Sequence, residues 1–421
     1  MSPADTAVPA ADAGASPLES GAESERKSAG TGTSGSGPLS GVEVLDLSTV
    51  GPAARCTRLL ADYGASVVKV APVPGRGPET VTPPFFAYSA HRGMRRVHID
   101  LRDTEARDAF LTLAARADVV VESFRPGVVD RLGIGYDAVR ARNPRIVYCS
   151  TSGYGQSGPR AQWAGHDLDY LAVAGYLAMT GPRADGGPPI PGATVADAAG
   201  GGMHAALAVC AALAGRSVTG EGAFLDVSVA DGVLWLMALA VDEHLATGSQ
   251  PGPGHDVLSG RYACYDIYRA ADGRWLAVAA IEAKFFANLC RALGCERWID
   301  RQYDDAGQEA MRADLSAAFA RRNRDDWIAL LAGADTCVAP VQDVSEVAAD
   351  PQFRFRRALV EAKGVTRGRF LQVGPVLAGM APIGVPVTVP DETASDTASL
   401  LGAAGLSIEQ IAGLRARGVV A

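Results

Sequence analysis

The chain predicts an α/β protein: a doubly wound parallel sheet in a large domain, followed by a smaller α+β domain. Three observations lead there. Between residues 41 and 152, short β-branched runs alternate with segments of helical spacing, the pattern of a parallel sheet with helices on both faces. Near residue 255 that alternation gives way to a hairpin-like pair of runs followed by helices. The length, 421 residues, exceeds what one small core requires, so one large domain plus a smaller one is the expected division.

Taken in order, residues 1–37 are rich in Ala, Gly, Ser and Thr, lack aromatics and end in "SAGTGTSGSG". Such a segment has too little apolar surface to offset its ordering entropy and is expected to be a disordered tail. "GVEVLDLS" (41–48) reads as a buried strand, "GPAARCTRLLADYGA" as a helix and "SVVKVA" (66–71) as the next strand. "RRVHIDL" and "DVVVESF" flank the helix "DTEARDAFLTLAARA", which Asp103 opens as an N-cap, and "PRIVYCSTS" (144–152) adds a further strand. From His166 to about residue 250 the signal is helical. "RYACYDIYRAADGRWLAVAAI" (261–281) predicts two strands around an Ala-Asp-Gly turn, with helices near 283–294, 305–321 and 324–333 after it. "SIEQIAGLRARGVV" is a terminal helix. The expected division is a tail at 1–37, a large α/β domain at 38–254, a small α+β domain at 255–360, and at 361–421 a return segment whose terminal helix packs on the large domain.

Composition excludes several classes. A net charge of −8 argues against a general nucleic-acid binder, so an anionic ligand must be met by a local basic patch. With 48% hydrophobic and 20% charged residues and no apolar run read as long enough to cross a bilayer, a soluble protein with no membrane partner is expected. Seven scattered cysteines with no C-x-x-C pair point to neither zinc nor disulfides, which fits a reducing cytoplasm. No signal peptide is read at the start, and no His/Cys spacing indicates a metal.

Each candidate for chemistry has a plain alternative. "GYGQSG" (153–158) fits G-x-G-x-x-G, yet it follows a late strand, precedes Pro159 and has no acidic ribose partner downstream; a glycine-rich turn with close backbone packing is the better reading. Arg92, Arg95 and Arg96, with Arg125 in "SFRPG", are either solvated charges or a cradle for phosphates. Asp197, ahead of "GGG", is a helix cap or a carboxylate placed where backbone or ligand comes close. Glu282 closes an apolar strand and alone says nothing. His166, in "AGHDLDY", is a packing histidine at a helix start or a proton carrier.

As a set the motifs resemble those of the family III CoA-transferase (CaiB/BaiF-type) superfamily, from Pro38 almost to the end of the chain. They are "PLSGVEVLDLSTVGPAARCTRLLADYGASVVKV", "VVVESFRPGVVDRLGIGY", "STSGYGQSGP", "CVAPV" (337–341) and "EQIAGLRARGVV". "AGHDLDYLAVAG" and the segment around Glu282 are similar to the α-methylacyl-CoA racemase branch. The resemblance implies His166 and Asp197 as the acid/base pair, with Glu282 orienting the histidine. It also implies CoA along the first domain near Arg92, Arg95, Arg96 and Arg125, Tyr170 beside the pantetheine or acyl part, no cofactor beyond the CoA thioester, and an interlocked homodimer in which Glu282 orients His166 either of its own chain or of a second copy. Ala71 and Pro72 stand where the family has an acidic residue and then a basic residue or proline, with Lys69 or Arg76 as substitutes.

The implied reaction is epimerisation of a carbon next to a thioester, which needs one group to take a proton and another on the opposite face to return one. Backbone N–H groups at Asp197–Ala198 are expected to receive the enolate oxygen. The competing readings are a CoA-transferase with Asp197 as nucleophile and a non-catalytic acyl-CoA-binding homologue.

Overall fold

A computed structural model describes residues 37–77, 91–365, 368–376, 378–380, 386–391 and 394–421. The low-complexity leader lies, apart from Gly37, outside the described residues.

Six parallel strands form the main sheet: β1 (Glu43–Asp46), β2 (Ser66–Ala71), β3 (Arg95–His98), β4 (Val119–Glu122), β5 (Val147–Ser152) and β6 (Ala223–Ser228). Their spatial order is β3-β2-β1-β4-β5-β6, so the winding reverses between β1 and β4. Residue alternation divides the strands between two cores. Leu45, Val68, Val97, Val120 and Tyr148 face one, with Phe110 and, from the C-terminus, Leu401, Ile411 and Leu414. Val44, Val67, Val119, Val121, Val147 and Cys149 face the other, with Ala53 and Cys56. Burial on both faces is why these strands read as near-continuous apolar runs.

Helix α1 (Gly51–Asp62) follows β1 with Pro in its first turn, and α2 (Thr104–Ala114) follows β3 with Asp103 accepting from Ala106 N–H at 3.0 Å. The Asp103 cap is thus as the sequence predicts. The expected run of helices after residue 166 contains a strand, β6, which pairs with β5 at the sheet edge. Its signal is weak because it is short and half exposed, alternating Ala223, Leu225 and Val227 with Phe224, Asp226 and Ser228.

After α3 (Asp167–Val173) comes a π-helix, Ala196–Met203, which runs directly into α4 (His204–Thr219); α5 (Val229–Leu236) and α6 (Ala238–Thr247) follow β6. Ala196–Thr219 is 24 residues long and its most apolar window has mean hydropathy 1.4, enough for a bilayer span by length and composition. The sequence reading expects no such run. Here Ala and Gly raise the hydropathy, and Gly200, Gly201, Gly202 and Val209 are buried within the protein.

The three glycines have a packing reason. A Cβ on Gly200 would lie 2.9 Å from Val233 Cγ2, one on Gly201 would collide with Pro52, and one on Gly202 would lie 2.7 Å from Arg55 Cβ. Gly232 on α5 meets the Gly200 carbonyl in the same way. The π-helix is therefore clamped between α1 and α5 at backbone distance.

The hairpin around Ala271–Gly273 is present as β7 (Tyr265–Arg269) and β8 (Trp275–Ala279), with β9 (Val338–Pro340) beside it. These strands and helices Ala283–Leu293, Gln308–Phe319 and Arg324–Leu331 enclose their own core around Phe286, Phe319 and Trp327. A second small sheet, β10 (Leu359–Gly364), β11 (Gly368–Val373) and β12 (Val387–Val389), occupies the return segment and was not anticipated.

Replacing Gly232 by Ala is expected to destabilise the protein by about 1–3 kcal/mol, the range for overpacking. Gly215→Ala, also within a helix but with open space at the Cβ position, should be neutral or stabilising by about 0.5–1 kcal/mol. Urea denaturation of both variants checks the contrast. Equal midpoints would remove the clamp from the account.

Candidate active site

In open parallel sheets ligands bind beyond the carboxyl ends of the strands where the winding reverses. Here that crevice lies between the ends of β1 (Asp46) and β4 (Glu122). A pocket of about 390 Å³ opens at the ends of β4 and β5, lined by the turn Ser123–Pro126, by Ser152 at the end of β5 and Gly153 after it, and by His166, Asp169 and Tyr170.

His166 is the residue before the first turn of α3, in extended conformation, and its N–H donates to the Asp169 carboxylate at 2.9 Å. Its side chain is exposed. Tyr170 fills the space beneath it: Cβ atoms on Gly153 and Gly165 would lie 2.5 and 2.7 Å from Tyr170 Cε1, and the phenol donates to the Gly165 carbonyl at 2.5 Å. Burial, then the charge of Asp197, raises the phenol well above its ordinary range, so Tyr170 enters the site as an O–H. The G-x-G-x-x-G segment is the close-packed turn expected of it. Gly153 seats Tyr170, Gly155 and Gly158 take φ of 85° and 98°, and Gln156 N–H donates to Asp226 at 3.1 and 3.0 Å.

Asp197 is the second residue of the π-helix and does not cap it with its side chain. Its own N–H donates to Asp167 Oδ1 at 2.9 Å, and its Oδ2 lies 3.5 Å from Arg55 Nη1. Burial raises the Asp197 carboxyl above its ordinary value, with Asp167 acting in the same direction and Arg55 and His166 against it. His166 and Asp197 therefore belong to one electrostatic site although they come from different elements. The expected oxyanion donors are occupied, since Asp197 N–H is held by Asp167 and Ala198 N–H by the Thr194 carbonyl at 3.0 Å. The amino end of α1 opens without a side-chain cap or an acid in its first turn and is electropositive.

Glu282 precedes the helix Ala283–Leu293, is exposed, and its charge reaches Tyr303 and Cys337. The pocket containing His166 has no residue from the 255–360 portion, so one chain alone does not bring these two together there. The arginines divide. Arg125 lines the pocket. Arg92 is buried, bound to both Asp62 oxygens at 3.0 Å and to Gln372 at 2.9 Å, and Arg96 is buried against His91 and the Asp391 carbonyl. Arg95 is exposed and donates to Ser66 Oγ at 3.0 Å. Both buried guanidiniums hold chain segments together rather than forming an open cradle. Lys69 is likewise committed, to Asp46 at 2.9 Å and the Ser48 carbonyl at 2.5 Å, and Arg76 lies 3.5 Å from Asp100.

Glu122 and Arg55 escape the sequence reading. Glu122 looks like the last residue of an apolar strand, and only the strand order shows that it ends in the crevice. Its carboxylate accepts from Phe124 N–H at 2.7 Å and from Ser150 Oγ, fixing the turn that carries Arg125. Burial pushes its carboxyl up to about 7 from an ordinary 4.5, against these two hydrogen bonds. A carboxyl that holds its proton more tightly when folded stabilises below about pH 4.5, and that contribution is lost as pH rises through about 7. Relative to Glu122→Gln, the wild-type chain should lose on the order of 3 kcal/mol between pH 4.5 and 8, as urea midpoints across that range will show. A difference independent of pH would exclude a titrating Glu122.

The site and fold have relatives. Residues 39–390 match CoA-transferase family III. An alpha-methylacyl-CoA racemase of Mus musculus is 34% identical over 76% of this chain and 82% of that protein. An acetyl-CoA:oxalate CoA-transferase of Acetobacter aceti is 33% identical over 78% of this chain and 87% of that one. Among solved structures, a CAIB/BAIF family protein from Brucella suis superposes with TM-score 0.69 at 27% identity, covering 91% of this chain and 99% of that one. With the family signature running from before β1 to beyond β12, the chain belongs to CoA-transferase family III.

Proposed function

We propose that the protein epimerises the α-carbon of a 2-methylacyl-CoA thioester by removing and returning a proton through an enolate. The observation that carries this reading is that His166, which lines the pocket, stands close enough for its charge to act on the Asp197 carboxyl, bringing together two titratable groups of different type from separate elements. An α-proton is acidified by the thioester carbonyl. One group accepts it while the other delivers a proton to the opposite face, and the charge on the carbonyl oxygen needs a nearby electropositive partner. The uncapped amino end of α1, whose Gly51 stands beside Asp197 Oδ2, offers such a partner in place of the occupied amides. No cofactor is called for, and the reading carries no membrane or nucleic-acid partner and a cytoplasmic setting.

In this reading two copies interlock, and Glu282 of a second copy orients His166. Exposed Leu207, Trp235, Leu239 and Leu245 on α4–α6 favour such an assembly, because large apolar side chains left in water gain by meeting a partner. Arg125 and Tyr170 flank the acyl or pantetheine portion, with Arg95 further along the first domain. Arg92 and Arg96 act through the segments they hold.

A transferase reading is favoured by the Acetobacter aceti relative, whose identity is within one percentage point of the racemase's. There the Asp197 carboxylate attacks the thioester carbonyl, CoA thiolate leaves, and a mixed anhydride remains on the enzyme.

Proton NMR of a 2-methylacyl-CoA in D2O separates the two. Loss of the α-proton signal without any acceptor acid is expected for the wild type, falling about 10²–10⁴-fold in His166→Ala and in Asp197→Ala. No exchange across a panel of branched acyl thioesters, with CoA transfer to a free acid instead, would replace the first reading by the second.

A further inference from the structure

We propose that Arg55 is a positioning residue for Asp197: anchored on Thr194, its guanidinium holds the carboxylate by one oxygen and favours its anion. The proposal rests on the reading of Asp197 as the reacting carboxylate.

The geometry is specific. Arg55 lies in α1 just after Pro52, and the missing side chains of Gly201 and Gly202 let this stretch of helix approach the π-helix. Its Nη2 donates to Thr194 Oγ1 at 2.7 Å while Nη1 stands 3.5 Å from Asp197 Oδ2. The tighter bond fixes the guanidinium plane, and the longer one is an ion pair directed at one carboxylate oxygen. The side chains are 27% and 17% exposed, so solvent reaches the pair and the interaction is partly screened.

Charge makes the arginine necessary. The charged groups facing Asp197 are Arg55 from α1 and His166 and Asp167 from α3, with the Tyr170 phenol beside them. Val229 and Val233, packed on the π-helix from α5, carry no charge. Burial and Asp167 both favour the neutral carboxyl. Of the two groups that favour the anion, His166 takes up and gives back a proton in the proposed reaction, whereas a guanidinium keeps its charge throughout. Arg55 is thus the constant part of the field. It lets Asp197 remain a base when His166 is neutral, the state in which His166 itself accepts a proton.

The test reads the carboxyl directly. A water-soluble carbodiimide with an amine labels a protonated carboxyl faster than its anion, and peptide mass spectrometry follows Asp197 across pH. In Arg55→Gln the midpoint of labelling is expected to rise by about 1–2 pH units, and in Arg55→Lys to return most of the way. Thr194→Val, which leaves α1 unaltered, is expected to raise it by a smaller amount and keeps the question decidable if Arg55→Gln does not fold. Midpoints that coincide with wild type in the Gln or Val variant overturn the proposal and leave Arg55 as a packing residue. Labelling does not depend on which reaction the enzyme performs. A chain that fails to exchange α-protons yet shows the shift loses the racemase reading and keeps the role of Arg55.

Discussion

The contact on which the rest depends is the clamp of a glycine-faced π-helix between α1 and α5. Without side chains at Gly200–Gly202, helix backbones meet where side chains usually separate them. That proximity puts Asp197 beside the first turn of α1 and beside Arg55, and holds it opposite α3, whose Asp167 takes its N–H. π-Helical turns cost hydrogen-bond geometry and persist mainly where a function needs the displaced residue. Here the displaced residue is a half-buried carboxylate.

A second principle organises the strand ends. The carboxyl edge of the sheet is lined by buried charges, and each holds a loop. Asp46 binds Lys69, Thr57 and Ser48, and Glu122 holds the turn after β4; at the opposite edge, where α1 ends, Asp62 gathers Arg58 and Arg92. Buried ions are costly unless satisfied, so each constrains its neighbours to one arrangement. The crevice is open to solvent, yet its walls are fixed by ionic contacts beneath them.

How much of this was legible follows the range of the interactions. Strands covered on both faces announce themselves as β-branched runs, and Asp103, a cap acting over three residues, is visible in the sequence because its physics is local. The β7–β8 hairpin is legible for the same reason. β6 is not, since an edge strand of six residues with mixed exposure carries little signal beside long apolar helices. His166 and Asp197 stood out through motif resemblance, and the meeting of their segments depends on packing that no spacing encodes. Arg92 and Arg96 look like free cations because the carboxylate and carbonyls they meet lie 30 to 295 residues away. Arg55 is hidden similarly, 142 residues from Asp197.

The Lys69–Asp46 pair carries a consequence for chemical self-damage. Activated acyl thioesters modify amines, and guanidinium groups resist that reaction. Of the 39 basic residues only Lys27, Lys69, Lys284 and Lys363 carry an amine. Lys69 alone of these lies on the main sheet among the described residues, and its nitrogen is enclosed by Asp46, the Ser48 carbonyl and Ser48 Oγ at 2.9, 2.5 and 3.4 Å. Under the proposed reading, an acyl group along these strand ends would meet arginines and one tethered, buried amine. If the proposed acyl thioester occupies the crevice, this choice of cation shields its walls from acylation.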